Sequence, residues 1–587
     1  MKTFLRFLPV ILVLATACNN NPEKADGTTG SADDAFGKLS DDYLNGYLAW
    51  RPQLAVSLGF HEYDGKVTDY SKASIDAELK RLKDYKQQLD SVDTTGLSPK
   101  MFYDYRILKL AIQSDIYNIE DFKYYTHNPM NYANAVDVNL YIKRDFAPLE
   151  ERLKDVIAVE QKIPDVFAAA KANLEDSLPK PYIETAISIA EGGAGFLKGD
   201  LLVALKDVKN DSLMRTFTEV NNNAVAAIAD YVSWLQKEKL PKSNNAYAIG
   251  TENYKKMLLY GEDIRMSPEQ ILEIGLKELE KEKERFNKAA AIINPSKKPR
   301  DVLNDVQKEH PTAENLIPEA KRNLEMIRQF VIDKKICTMP SEVRVQVKET
   351  PQYARATSTA SMDVAGPFET KATESYYYIT PVDPKWTAKQ KEDWLSSFDY
   401  YTTDNVTVHE AYPGHYTQFL HLNASSASKI EKIFGSYAYI EGWAHYCEKM
   451  MIDQGFGNDG DSIKAAKYRM AQSGDALLRL CRLCVSIKMH CQGMTLAEGT
   501  KFFMDNWYQG EKPSYQEALR GTFDPGYLFY TVGKLQILKL RDDYSKQEGT
   551  AFSLKSFHDQ LMDNGMPPIR LLREVLLKDQ NTWDLIL

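Results

Sequence analysis

The chain has no surplus of positive charge, no apolar run long enough to cross a bilayer and, beyond Cys18, no even set of cysteines. Each absence closes a class of function. The formal net charge is −9 and the acidic groups are dispersed, so there is no basic face for nucleic acid. The longest apolar stretch near the start, residues 7–14, is too short for a membrane span, and no longer one follows. Besides Cys18 there remain Cys337, Cys447, Cys481, Cys484 and Cys491, an odd number that rules out complete internal pairing. Cys481 and Cys484 form a CxxC. It lies in the apolar run "ALLRLCRLCVSIKMH" with no second cysteine pair downstream, so buried free thiols are expected rather than a zinc knuckle or a redox pair. There is no internal repeat.

What is present begins with a targeting segment. Lys2 and Arg6 precede the apolar run, and Ala15, Thr16 and Ala17 precede Cys18. This pattern is that of a secretory signal, and the Cys directly after the small residues resembles a bacterial lipoprotein signal, cut before Cys18 with lipid on its sulfur. Residues 1–17 are then the signal and 18–38, polar and Gly/Ser-rich, a flexible tether. A body from 39 to 587 follows, held to the membrane of the bacterial cell envelope through Cys18.

Most of that body reads as helix. Residues 73–90 and 267–290 alternate apolar and charged positions at helical spacing. The second stretch opens with Ser267, Pro268 and Gln270, a capping-box start, and Thr387 with Gln390 repeats the signal. Around 341–380 the period shortens to two. Val343, Val345 and Val347 alternate, and "ESYYYITPVDP" is β-rich. A mainly α fold is therefore expected: a large multi-helix body with a deep cleft, and a small antiparallel β element beside the helix described next.

"TVHEAYPGHYTQF", residues 407–419, holds the chemistry. Zinc peptidases use His-Glu-x-x-His, in which the two His lie one turn apart on one helix face. Here His415 follows His409 by six, about 240° past a full turn on a regular helix. Pro413 lacks an N–H for the helix ladder and Gly414 has backbone freedom, so a bulge of about two residues can return His415 to the face of His409. In "YIEGWAHYCEKMM", Glu441, His445 and Glu448 share one face of an apolar helix, where unpaired carboxylates would be costly. Two imidazoles and a carboxylate suit one Zn2+ with a fourth position for water, and Glu410 is placed to take that water's proton. His445 and Glu448 fit orienting roles behind the ligands. Tyr527 and Tyr530 are candidates to hydrogen-bond the oxyanion, His490 is either a core hydrogen-bonder or a substrate-facing donor, and Arg541 is a candidate for a substrate carboxylate.

HE-x-x-PGH, EGWA-x-Y-x-E and "DPGYLFYTVGKLQILKLR" together resemble the bacterial domain of unknown function 885 family. Its members look like gluzincin zinc metallopeptidases, similar in layout to thimet oligopeptidase and carboxypeptidase Taq. The specific motifs lie within about 340–545. The resemblance implies His409, His415 and Glu441 as zinc ligands and Glu410 as general base. Tyr416 stands where many members have a second His, and "SIKMH" keeps only the His of an Asp-x-Gly-x-His run. The expected activity is hydrolysis of short peptides. The alternatives are hydrolysis of non-peptide amides or esters on the same site, and a non-catalytic peptide-binding lipoprotein. The bland readings are a structural salt-bridged pair at His409 and Glu410 and, for Glu441, a buried helix cap or ion pair, with Glu448 then the substitute ligand.

Overall fold

The computed structural model describes residues 29–587 except 136, 352–354 and 356–358. The signal segment, Cys18 and the first part of the tether lie outside the described residues.

Helix α1 (Thr29–Trp50) begins inside the stretch expected to be flexible. Phe36 and Tyr43 are buried, so burial of apolar side chains extends the folded body further towards the start than composition suggested. Helices α2 (Lys72–Asp90) and α3 (Pro99–Glu120) follow, each opened by a Ser whose side chain accepts a backbone N–H. With α1 they close an N-terminal core around Leu82, Leu108 and Ile112. Helix α4 (Pro268–Ile293) has the expected capping box between Ser267 and Gln270, and Thr387 with Gln390 forms the other.

The sheet has strands β1 (Gln346–Glu349), β2 (Ala360–Asp363) and β3 (Tyr376–Ile379), in the order β1-β3-β2. It is mixed, not antiparallel as expected. β2 runs antiparallel to β3, while β1 runs parallel to it. The strand that follows β1 takes the far side of β3, so β1 meets its neighbour only through a crossover. All four β3 side chains are buried, which explains the unbroken aromatic run "YYYI". Val345 and Val347 point inward, but Val343 precedes the strand and is exposed.

The second half is built from α5 (Tyr400–Glu410), α6 (His415–Ala424), α7 (Tyr437–Asp453), α8 (Ser462–Gln492), α9 (Glu511–Phe523) and α10 (Phe529–Glu548). Helix α8 lies along α4, and α7 along α10. Gly442 and Gly533 face each other at the α7–α10 crossing. A Cβ at 533 would stand 1.7 Å from the Ala438 carbonyl oxygen, and one at 442 would stand 2.5 Å from Gly533 backbone. The two backbones touch there because neither position has a side chain. The described cysteines are free thiols, with Cys481 and Cys484 buried.

Three adjoining hollows of about 510, 390 and 480 Å³ share Leu54. The first two lie within residues 50–143, with Asp363 at the edge of the first, and the third lies between α1, α3 and the second half. Asp363 of β2 lines one end, and Tyr437 and Phe529 line the other. Tyr437 packs on Tyr530 at 5.7 Å between ring centroids, and Tyr530 lies 6.5 Å from the His409 ring. Among the described residues no helix is long and apolar enough to cross a membrane.

Candidate metal centre

The spacing puzzle of residues 409–415 is settled by a break between two helices. Helix α5 ends at Glu410 and α6 starts at His415. The turn between them contains a cis Tyr412–Pro413 bond. Gly414 N–H donates to the Val408 carbonyl at 3.0 Å and Thr417 N–H to that of Ala411 at 3.2 Å. Both bonds span six residues where a regular helix spans four, so two extra residues are absorbed. Gly414, at φ −66° and ψ −136°, permits a close approach, since a Cβ would lie 1.8 Å from the His409 carbonyl oxygen. The His409 and His415 rings end 4.9 Å apart and perpendicular.

Helix α7 brings Glu441 to them. Its Oε2 lies 3.5 Å from His409 Nε2 and 3.4 Å from His415 Nε2. The three ligand atoms lie within 4.8 Å of one another, the one such cluster of His, Cys, Asp or Glu among the described residues. Zinc bonds of about 2.0–2.1 Å in a tetrahedron put ligand atoms about 3.3–3.4 Å apart, so the carboxylate already stands at zinc-site separation from both imidazoles. Among the described residues Glu441 Oε2 and His415 Nδ1 are buried with no hydrogen-bond partner; the carboxylate oxygen meets only the two imidazoles, at ion-pair distance, a position a cation could share. The donor set fits Zn2+.

Behind the ligands runs a relay. His409 Nδ1 meets Glu448 Oε1 at 2.7 Å, and His445 Nδ1 meets Glu448 Oε2 at 3.0 Å. Lys534 Nζ lies 3.3 Å from His445 Nε2. An ammonium only donates, so His445 carries its proton on Nδ1 and gives it to Glu448. Glu448 accepts from His409 Nδ1–H as well, which turns the Nε2 edge of His409 towards Glu441 and His415. Glu448 thus holds the far side of the His409 ring and is not part of the His409–His415–Glu441 cluster. Burial opposes its ionisation, yet Arg479 at 3.3 Å and the two imidazoles hold its carboxyl well below the usual range. Burial likewise disfavours the His409 imidazolium, but Glu441 and Glu448 overrule it and raise the ring to about 9. Burial, with Lys534 beside it, pushes His445 down to about 3, so that ring is neutral.

The EGWA motif joins the two clusters. Trp443 is fully buried and its Nε1–H donates to the Pro413 carbonyl at 2.9 Å, tying α7 to the turn that returns His415. Glu410 is half-buried at the end of α5, and among the described residues no hydrogen bond or ion pair engages its carboxylate. Tyr377 of β3 reaches Thr407 at 3.3 Å, which sets the sheet against α5.

Three expected site residues lie elsewhere. His490 is buried, with Nε2 on the Gly521 carbonyl at 2.8 Å and Nδ1 facing the Ile249 N–H at 3.4 Å; both nitrogens serve the backbone, and burial lowers it to about 4. Tyr527 is fully buried, its hydroxyl packed under Gly521, so it meets no substrate. Arg541 bonds the Tyr446 hydroxyl at 3.3 Å and neighbours Asp542, where it braces α7 against α10. His421 pairs with Asp563 and the Thr338 carbonyl. Only Tyr530 of these candidates is at the centre. Its hydroxyl is held neutral by burial and by the nearby Glu441, as a hydrogen-bond donor requires.

Sequence reasoning missed Arg479, Arg482 and Arg520, whose guanidinium carbons lie 5.8, 5.2 and 5.9 Å from the Tyr530 ring centre. The signal was available, since "DALLRLCRLC" puts two Arg three apart on an apolar helix, where buried charges need a purpose.

Residues 52–576 match the bacterial proteins of unknown function grouped as DUF885. Two solved structures share the fold, both of proteins described as putative lipoproteins. One, of unknown function, is from Shewanella oneidensis, with TM-score 0.77 and 24% identity over 92% of this chain and 100% of that one. The other is from Colwellia psychrerythraea, with TM-score 0.75 and 16% identity over 94% of this chain and 99% of that one. No curated protein matches.

Proposed function

The chain belongs to the bacterial family of unknown function DUF885, and on that premise we propose that it is a zinc-dependent peptidase of the cell envelope, lipid-anchored at Cys18 and acting on short peptides. The observation that carries this reading is the convergence of His409 Nε2, His415 Nε2 and Glu441 Oε2 beside an unengaged Glu410 carboxylate. A site for holding metal alone has no use for that base. Zinc bound there would supply the Lewis acidity that polarises a peptide carbonyl and acidifies water. Glu410 takes the proton of the attacking water and passes it to the departing amine nitrogen as the C–N bond breaks. Tyr530 donates its hydroxyl proton in a hydrogen bond to the carbonyl oxygen as charge gathers on it. A hollow of about 480 Å³ between α1, α3 and the second half would admit flexible chains more readily than folded proteins. The names of the two similar structures and the Ala-Thr-Ala-Cys18 sequence support the lipid anchor.

Amine release from a peptide mixture tests this. Wild type should act, a chelator should stop it, and Glu410→Gln should lower the rate by about 10²–10⁴-fold while zinc content stays at one ion per chain. Equal release in all three would overturn the zinc mechanism, and no release in any of them would leave a non-catalytic peptide-binding lipoprotein. Release from amide or ester compounds but from no peptide would assign the same centre to non-peptide substrates.

A further inference from the structure

Arg479 and Arg482 of α8 and Arg520 of α9 surround one phenol ring, that of Tyr530, whose ring also lies 6.5 Å from the ligand His409. Three guanidiniums so close repel one another, and each is steadied from behind. Arg482 donates through Nε and Nη2 to Glu517 at 2.7 and 2.8 Å. Arg520 donates through Nε to Asp524 at 3.0 Å and through Nη2 to the Tyr437 hydroxyl at 3.1 Å. Arg479 holds Glu448 and the Asp475 carbonyl.

These bonds leave donors over. Among the described residues, Nη1 of Arg482 and of Arg520 has no partner, and Nε of Arg479 is buried without one. The cluster lies one layer behind the hollow of about 480 Å³, because Tyr437 and Asp524, both bonded to Arg520, line it. Arg541, the residue expected to take a substrate carboxylate, is occupied with Tyr446.

Resting on the peptidase reading, we propose that Arg479, Arg482 and Arg520 form an anion subsite for the free C-terminal carboxylate of the substrate. Guanidinium forks match a carboxylate in shape and charge. Through Tyr530 the three carbons stand no more than about 12 Å from the His409 ring, about three residues of extended chain. Cleavage then falls within about three residues of the peptide's C-terminus, and a longer tail beyond the scissile bond is refused.

The test uses unblocked tri- to pentapeptides, each made with a free C-terminal carboxylate and as its C-terminal amide. Wild type should favour the acids by about 10- to 100-fold in kcat/KM, the worth of a charge-assisted hydrogen bond. Arg482→Gln and Arg520→Gln should each shrink that ratio through loss on the acids alone, with rates on the amides and zinc content unchanged. In R482Q/E517Q no carboxylate is stranded, so a folding defect is separated from loss of the subsite. Equal wild-type rates on acids and amides, or variants that lose both alike while keeping zinc, overturn the subsite and leave the peptidase standing. Should no peptide be cleaved, the peptidase reading fails, and equilibrium binding of the same acids and amides to the zinc-loaded chain decides the subsite: tighter acids support it, equal affinities overturn it.

Discussion

Glu448 serves three cationic or proton-giving partners with two oxygens: His409, His445 and Arg479. If its task is to turn His409 towards the metal, neutralising it should weaken zinc binding without disturbing the ligands themselves. Glu448→Gln is expected to lower zinc affinity by about 10- to 100-fold, measured by competition with a chromogenic chelator. An unchanged affinity would make Glu448 a packing residue. A second buried acid, Glu160, is isolated: both carboxylate oxygens lack partners and burial raises it to about 8. The folded chain keeps this proton up to about pH 8, whereas an unfolded chain loses it near the ordinary 4.5. Stability from this group is therefore full below about pH 4.5 and is lost as pH rises towards 8. Glu160→Gln should match wild type at pH 4 and exceed it at pH 8 by on the order of 4 kcal/mol in denaturant unfolding. Equal stabilities at both pH values would show that the carboxyl is solvated.

Helix crossings, more than side-chain chemistry, explain the glycines of the two motifs. Gly442 in EGWA and Gly533 in "YTVGK" let α7 and α10 touch, one residue from Glu441 and one turn from Tyr530. Gly533→Ala must part the helices, at a cost of about 3 kcal/mol, and should weaken zinc binding along with stability because Glu441 moves with α7. A variant as stable and as tight for zinc as wild type would mean the crossing relaxes freely. The element scale also shows where sequence is readable. The six-residue spacing with Pro413 and Gly414 announced two absorbed residues, because ladder geometry is local. The rotation that buries Tyr527 and leaves Tyr530 facing His409 is tertiary, and neighbouring positions in the chain cannot tell the two apart. Arg541 and His490 failed for a simpler reason. Each is eleven residues beyond a residue that does reach the centre, Tyr530 and Arg479 respectively. That is nearly the same helix face but about 16 Å further along the axis. The mixed order of the sheet was hidden too, because β2 carries no alternating apolar pattern in "ASMD".

Across the whole molecule, the His409–His415–Glu441 cluster is assembled by packing. Its residues ride on α5, α6 and α7, inside the large core that also holds Trp443, Val408 and Met451. Trp443 fixes the turn, and the relay through Glu448 fixes one imidazole. Small zinc domains, by contrast, are unfolded without their ion because the site supplies most of their stability. The chain stripped of metal should therefore keep its helical content, and zinc should raise the unfolding midpoint only by linkage. That gain is about 4 kcal/mol when free zinc is a thousand times its dissociation constant. Spread over a body of this size, it amounts to a few degrees. Circular dichroism and calorimetry of chelated and reloaded protein measure both quantities. Full loss of helix on chelation would reverse the argument, since the ion would then hold the fold together, and the free carboxylate of Glu410 would no longer point to chemistry.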